Sequence, residues 1–334
     1  MPRTARLIVH LFLGTFLLSG VFSCSEGSAP TSSTEKVRVQ LNWFPEPEFG
    51  GLYAAQANGF FADEGLDVEL LKGGPDVPAP QMLASGRVEF AVVAAPQLMT
   101  LRARGGNATA VFATFQKYPR GILVRADSGY EDLESFWKSD GKVMAQDGLA
   151  FIKWLKKKYG KTDLSFVPYG GSLAPFISNT VQGMQCFATA EPVQLEMDGV
   201  QTSVFLLADE GYNPYVALIA VNDKVLEERP EMVNRFVKAL RRGWDAYLAT
   251  PAKTNALIKS LNPDLKSKVL ELATVRLADF VQSDVTREHA PGWMVEERWE
   301  TLGRQLVELG ELTEDERKRV GSPFINPALE KNSE

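Results

Sequence analysis

The sequence predicts an α/β protein of two lobes. Three observations carry this: a strand, helix, strand, helix, strand run within residues 37–93, a second run of the same order from Lys142 onward, and a last third that is mostly helical. Strands joined through helices pair in parallel by right-handed crossovers, and their ligands sit beyond the carboxyl ends of the strands.

In the first run, residues 37–41 form a short apolar strand that turns at Pro45 and Pro47 into a helix over 49–58. Gly59 ends that helix as a left-handed cap. A strand over 66–71 leads to Gly73, Gly74, Pro75 and Asp76, Pro78 opens a helix to Ser85, and 90–93 is the third strand. The carboxyl edge therefore presents Asn42, Trp43, Gly73, Gly74 and Asp76, then Ala95, Pro96 and Gln97. A tryptophan in such a loop is either a packing residue or a platform for a planar ligand, and position alone favours packing.

A helix over 98–105 and a strand over 110–116, ending at Gln116, complete this part. After a turn at 117–121 comes a strand over 122–125 and a short helix near Asp132 and Leu133, with its acidic residue in the first turn. The second run places a strand at 142–145, a loop of Gln146, Asp147 and Gly148, and a helix over 149–159. The free N–H groups at that helix start suit an anionic or carbonyl oxygen, with a plain Asp147 cap as the equal alternative. A strand over 164–167 ends before Tyr169, a helix spans 175–182, and a strand over 186–191 ends in Glu191, followed by Pro192. A carboxylate there is either a solvated cap or a ligand acceptor. Strands at 204–207 and 216–221 flank Tyr215. Helices then follow over 230–249, 253–261, 264–280 and 295–309, the first with Met232, Phe236, Ala239, Leu240 and Trp244 on the helical period.

The ends and the composition bound the class. Arg3 and Arg6 precede an apolar run over 7–18 that closes at Cys24, an export signal too short to span a membrane. Residues 1–24 are expected to be a lipoprotein signal ending at a lipidated Cys24, with ordinary cleavage nearby as the competing reading because Phe22 is bulky. Residues 25–36 are expected to be a polar tether. A net charge of −6 without a basic block argues against nucleic acid. Cys186 is the one other cysteine, so no internal disulfide and no Cys/His metal site is expected. No G-x-S-x-G elbow surrounds Ser172, Gly73–Gly74 is no P-loop, and His289 beside Glu288 reads as a surface pair.

From Trp43 to Asp76 the chain carries a W-x-P turn, a G-x-Y-x-A helix at Gly51 to Ala55, a G-F-F-x-x-x-G-L-D-V joint from Gly59 and a G-G-P-D loop. This combination resembles the solute-binding proteins of bacterial ABC importers, in the family that binds thiamine-pyrimidine precursors and whose eukaryotic relatives are thiamine pyrimidine synthases. The resemblance runs from Val37 to about Pro327. It implies a type II periplasmic-binding-protein fold, with lobe one at 37–121 plus 222–327, lobe two at 122–221, and crossing strands at 122–125 and 216–221. It further implies an extracytoplasmic monomer without cofactor that hands a small heteroaromatic solute to a membrane permease. In such a cleft Trp43, Tyr169 and Tyr215 would supply aromatic faces, Asn42, Gln97, Gln116 and Glu191 directional polar contacts, and Gly74, Asp76, Gln146 and Gly148 the surrounding loops. Glu191 would accept bonds from the amino group and ring nitrogen of an aminopyrimidine.

Two departures matter. Many relatives have N-x-x-H-x-G after the turn, whereas here Phe49 replaces the histidine, adding an apolar face and opening the possibility of another ring system. Riboflavin-like compounds and aliphatic sulfonates are bound by neighbouring families, although Glu191 opposes a sulfonate. The synthases carry a lysine for pyridoxal phosphate and a reacting histidine four residues later, and Val93 and Gln97 stand in those places. Neither can do that chemistry, so a binding protein is expected rather than an enzyme.

Overall fold

The protein is described by a computed structural model over residues 34–327; Cys24 and the expected signal lie outside them. β1 (Glu35–Gln40), β2 (Leu66–Leu71) and β3 (Phe90–Val93) pair in parallel, with Val37 beside Val68 and Val39 beside Phe90. β4 (Ala108–Ala113) joins them through a late strand, β10 (Leu218–Asn222), which runs antiparallel to both β3 and β4 and gives the order β2-β1-β3-β10-β4. β3 and β10 are buried along their whole length, which is why they read as unbroken apolar runs rather than alternating ones. Pro323 and Ile325 hydrogen-bond Ala110 at the outer edge of β4, covering an otherwise open strand edge.

The second sheet holds β5 (Arg120–Arg125), β6 (Asp140–Ala145), β7 (Asp163–Pro168), β8 (Gly183–Phe187) and β9 (Thr202–Leu206) in the order β7-β6-β8-β5-β9. β6 lies parallel to β7 and β8, and β5 antiparallel to β8 and β9. Residues 114–119 lead from the first sheet to the second, and residues 207–217 lead back.

Several boundaries differ from expectation, each for a local reason. Glu35 and Lys36, expected in the polar tether, already pair with Leu66 and Asp67 as the start of β1. The strand expected to cross at 216–221 belongs to the first sheet, because the full backbone ladder of β10 is made with β3 and β4. The helix expected over 175–182 is the single turn Ala174–Ile177. The strand expected to end at Glu191 stops at Phe187, and Glu191 instead opens the helix Glu191–Met197. Pro192, pre-set for a first helical turn, makes that start local.

One contact fixes the Trp43 turn relative to the first sheet. The helix Gly50–Ala57 presses on the long helix Pro230–Ala249 so closely that a Cβ on Gly243 would lie 2.1 Å from the Gly51 carbonyl oxygen, and one on Gly51 2.3 Å from the Trp244 ring. Only glycine permits that approach. Behind it Phe236 stacks between Phe61 at 5.2 Å and Phe90 at 4.1 Å.

Candidate functional site

The first sheet's contribution begins where β1 ends. Leu41 is buried, and the chain then turns through Asn42, Trp43 and Phe44 into the 3-10 turn Pro47–Phe49. Gly73, at the end of β2, closes this turn from beside: its N–H donates to the Trp43 carbonyl at 3.1 Å. A Cβ there would sit 2.3 Å from the Trp43 nitrogen, so the two strand ends meet only because Gly73 has no side chain.

From the second sheet, Tyr169 follows β7 and Glu191 opens its helix. The Trp43 and Tyr169 rings stack at 6.4 Å and 28°, and Trp43 packs against the apolar groups of both sheets. Phe44 meets Trp43 edge-on at 5.2 Å. The Tyr169 hydroxyl donates to Glu191 Oε1 at 2.9 Å, and the Phe187 backbone N–H donates to Oε2 at 2.7 Å. Glu191 is 8% exposed, and burial raises its pKa against these two bonds, which favour the charged form.

Two further carboxyls face it from the first sheet's turn. Burial, then Glu191, raise Glu48 to about 8, with Arg120 opposing. Burial, Glu48 and Glu191 raise Glu46 well above its usual range, against the Trp43 indole, which hydrogen-bonds the charged form. Glu48 and Glu191 thus share one guanidinium, Arg120, whose plane lies 4.7 Å from the Phe187 ring, while Glu46 has the Trp43 indole. Cys186, beneath them, has its thiol pushed far up by burial and by Glu191, so it is a neutral packing group. Asn42 Oδ1 and Arg120 Nη1 are buried with no hydrogen-bond partner among the described residues.

The remaining candidates scatter. Phe49 is 2% exposed within the first core, a packing position rather than a ligand face. Gln97 is spent on its own helix, its Oε1 accepting from the Ala94 N–H at 3.1 Å. Gln116 donates to the Ala113 and Trp293 carbonyls, and the Tyr215 hydroxyl accepts from the Val295 N–H, so both hold the crossings to the C-terminal helices. Gln146 and Gln185 bond each other across the second sheet's edge. Gly148 is exposed at φ +73, and the N-cap position of the helix after it is Leu149, not Asp147, with no side-chain cap. Gly74 is buried 3.4 Å (as a Cβ) from Phe44, and Asp76 lies in an exposed turn. The structure thus brings the expected Trp43, Tyr169 and Glu191 together and places beside them Phe44, Glu46, Glu48 and Arg120, which the sequence did not single out. The signal for the two glutamates was present: acidic residues on both sides of Pro47, shortly after Trp43, in the stretch that departs from the N-x-x-H-x-G pattern.

A family model described as NMT1/THI5 like matches residues 46–254. A 4-amino-5-hydroxymethyl-2-methylpyrimidine phosphate synthase of Saccharomyces cerevisiae, THI11, is 28% identical over 275 residues, covering 77% of this chain and 80% of the yeast protein. The riboflavin-binding protein RibY of Chloroflexus aurantiacus is 24% identical over 319 residues, covering 86% and 89%. Among solved structures, the periplasmic aliphatic sulphonate binding protein SsuA of Escherichia coli superposes with a TM-score of 0.64 at 14% identity, covering 86% of this chain and 97% of that one. The fold is that of the type II periplasmic binding proteins.

Proposed function

Because the chain belongs to the NMT1/THI5-like family, we propose that it is the extracytoplasmic substrate-binding component of an ABC importer and captures a small amino-heteroaromatic solute, a thiamine pyrimidine precursor being the leading candidate. The observation that carries this reading is the meeting of Trp43 and Tyr169, from different sheets, above the buried Glu191. In this reading the lobes are 34–116 with 218–327, and 120–206, with the solute between them. The two rings grip a planar solute, and Glu191, Glu46 and Glu48 take its amino and ring N–H donors. A carboxylate has room for about four donors, so the Tyr169 and Phe187 bonds leave capacity on Glu191. Asn42 Oδ1 supplies a further acceptor, and Arg120 Nη1 a donor for a carbonyl or hydroxyl.

The same lining suits a sulfonate poorly, because the ionisable groups beside Arg120 are carboxyls: held neutral they bring no positive charge to an anion, and ionised they repel it. The relative named as a synthase raises the enzyme reading, but β3 presents the apolar Val93 and the following helix the self-capping Gln97 where the synthases carry lysine and histidine. An anchor through a lipid on Cys24 and delivery to a membrane permease complete the proposal.

Calorimetric titration tests it. The wild-type protein should bind 4-amino-5-hydroxymethyl-2-methylpyrimidine, with riboflavin and an alkanesulfonate as comparators. Trp43→Ala should lose about 1–3 kcal/mol, the worth of aromatic stacking on a base, and Glu191→Gln about 2 kcal/mol or more. Full-strength binding by either variant removes that residue from the site, and tighter binding of the sulfonate overturns the ligand class.

A further inference from the structure

Besides the exposed ion pairs Lys153–Glu311 at 2.6 Å and Lys157–Glu308 at 3.0 Å, the second sheet and its helices touch the C-terminal helices in two places of opposite character. The first lies at the crossings. Arg298, from the helix Glu296–Glu308, donates to the Asn213 carbonyl at 2.6 Å, to the Pro214 carbonyl and Asn213 Oδ1 at 3.0 Å each, and to the Gln116 carbonyl. Asn213 Oδ1 also accepts from the Tyr118 N–H at 2.8 Å, and the Arg298 plane covers the Tyr215 ring at 3.8 Å. One half-buried guanidinium therefore binds both chain crossings to one helix. Ala217 beside them holds a positive φ of 48°, and strained backbone of that kind gathers where chains bend. Residues next to such a clamp move little when two lobes rotate about it.

The second contact lies on the helix that Glu191 opens. Val193, on that helix, packs with Val269 and Ala273 of the helix Ser267–Val281 in a small apolar cluster separate from the other two. Two ion pairs flank it, Lys266–Asp198 at 2.5 Å and Arg276–Glu196. The helix Ser267–Val281 also packs on the 3-10 turn Pro47–Phe49, which carries Glu48. The seam thus sits at the cleft rim, joining the two carboxylate-bearing elements of the site from outside.

We infer that this seam is the closing latch of the cleft: it makes and breaks as the lobes rotate about the Arg298 clamp, while the clamp itself stays closed. An apolar patch set apart from the other clusters and ringed by exposed charges is what a separable contact requires, since both halves must tolerate water when parted. The strength fits too. Exposed pairs of this kind shift an equilibrium by about two- to fivefold each, enough to bias closure without locking it. The latch rests on the binding-protein reading for its purpose, but its test needs no solute and so can fail or succeed separately.

The experiment compares the wild-type protein with the charge reversal Lys266→Glu plus Arg276→Glu, and with the full swap that adds Asp198→Lys and Glu196→Lys. Small-angle scattering reads the radius of gyration, and amide exchange reads each segment. The reversal should enlarge the protein and raise exchange in 191–197 and 267–276 by about tenfold or more, with 116–118, 213–215 and the β1 and β3 amides unchanged. The swap should return both readouts most of the way to wild type. Val193→Ala, which only trims the apolar patch, should give the same local pattern more weakly. Wild-type behaviour of the reversal, no rescue by the swap, or a rise spread equally over β1 and β3 in both the reversal and Val193→Ala overturns the latch.

Discussion

Glu48→Gln isolates the electrostatic cost of the site. An unfolded chain loses the Glu48 proton near the ordinary 4.5, whereas the folded chain keeps it until about 8. Between those values the folded state holds more protons, so its stability falls as pH rises. Glu46 and Glu191 are shifted in the same direction and add to the slope. At 1.36 kcal/mol per tenfold, the Glu48 shift alone is worth at most ~5 kcal/mol. Because Glu48 is half-buried rather than dry, solvent screening reduces this to about 1–2 kcal/mol. The glutamine is uncharged at every pH and carries no such penalty. The variant should therefore match wild type near pH 5 and exceed it by about 1–2 kcal/mol at pH 9, or a few degrees in melting temperature. Thermal melts of both proteins from pH 5 to 9 measure this. Parallel curves across the whole range would refute the claim that Glu48 is held protonated by its surroundings.

Two substitutions probe how the site is built. Tyr169→Phe keeps the ring on Trp43 but removes the donor to Glu191 Oε1; denaturant titration at pH 7 should show a loss of about 1–2 kcal/mol, and an unchanged midpoint would mean the bond contributes nothing. Gly73→Ala drives a Cβ to 2.3 Å from the Trp43 nitrogen and should cost about 3 kcal/mol or more while displacing Trp43, read by its fluorescence. Gly170→Ala, where nothing lies within 4 Å, is the control and should be near neutral.

The sheets were legible because their strands are short apolar runs punctuated by glycine and proline: β2 and β3 and the long helix Pro230–Ala249 stand at the boundaries their patterns predicted. The edge of the second sheet was less so. Residues 186–191 look like one strand, yet Pro192 sets the following turn and Glu191 goes to a helix start. Trp43, Tyr169 and Glu191 could be found because each follows a strand end, a position that sequence order reveals. Tyr215 and Gln116 follow strands as well, but their partners are Val295 and Trp293, some 80 to 177 residues away, and no local pattern shows such contacts. Glu46 and Glu48 failed for the opposite reason: a charged turn reads as solvated until the second sheet is known to cover it.

Placing Glu191 at a helix start has a consequence that neither the carboxyl nor the helix has alone. Its helix is only seven residues long, so the carboxyl at one end and the Glu196 and Asp198 charges at the other move as one body. A donor that draws Glu191 toward Trp43 therefore carries Glu196 and Asp198 toward Arg276 and Lys266. In the proposed reading a solute without donors for Glu191 still gains the aromatic grip of Trp43 and Tyr169 but gives the helix no pull, and so favours the closed form less. Only a solute that binds the closed form better can shift the balance, and it shifts it by no more than that difference. If the proposed amino-heteroaromatic is the solute, its selectivity and part of the drive to close come from the same bonds, and a ring lacking the amino group should weaken both together.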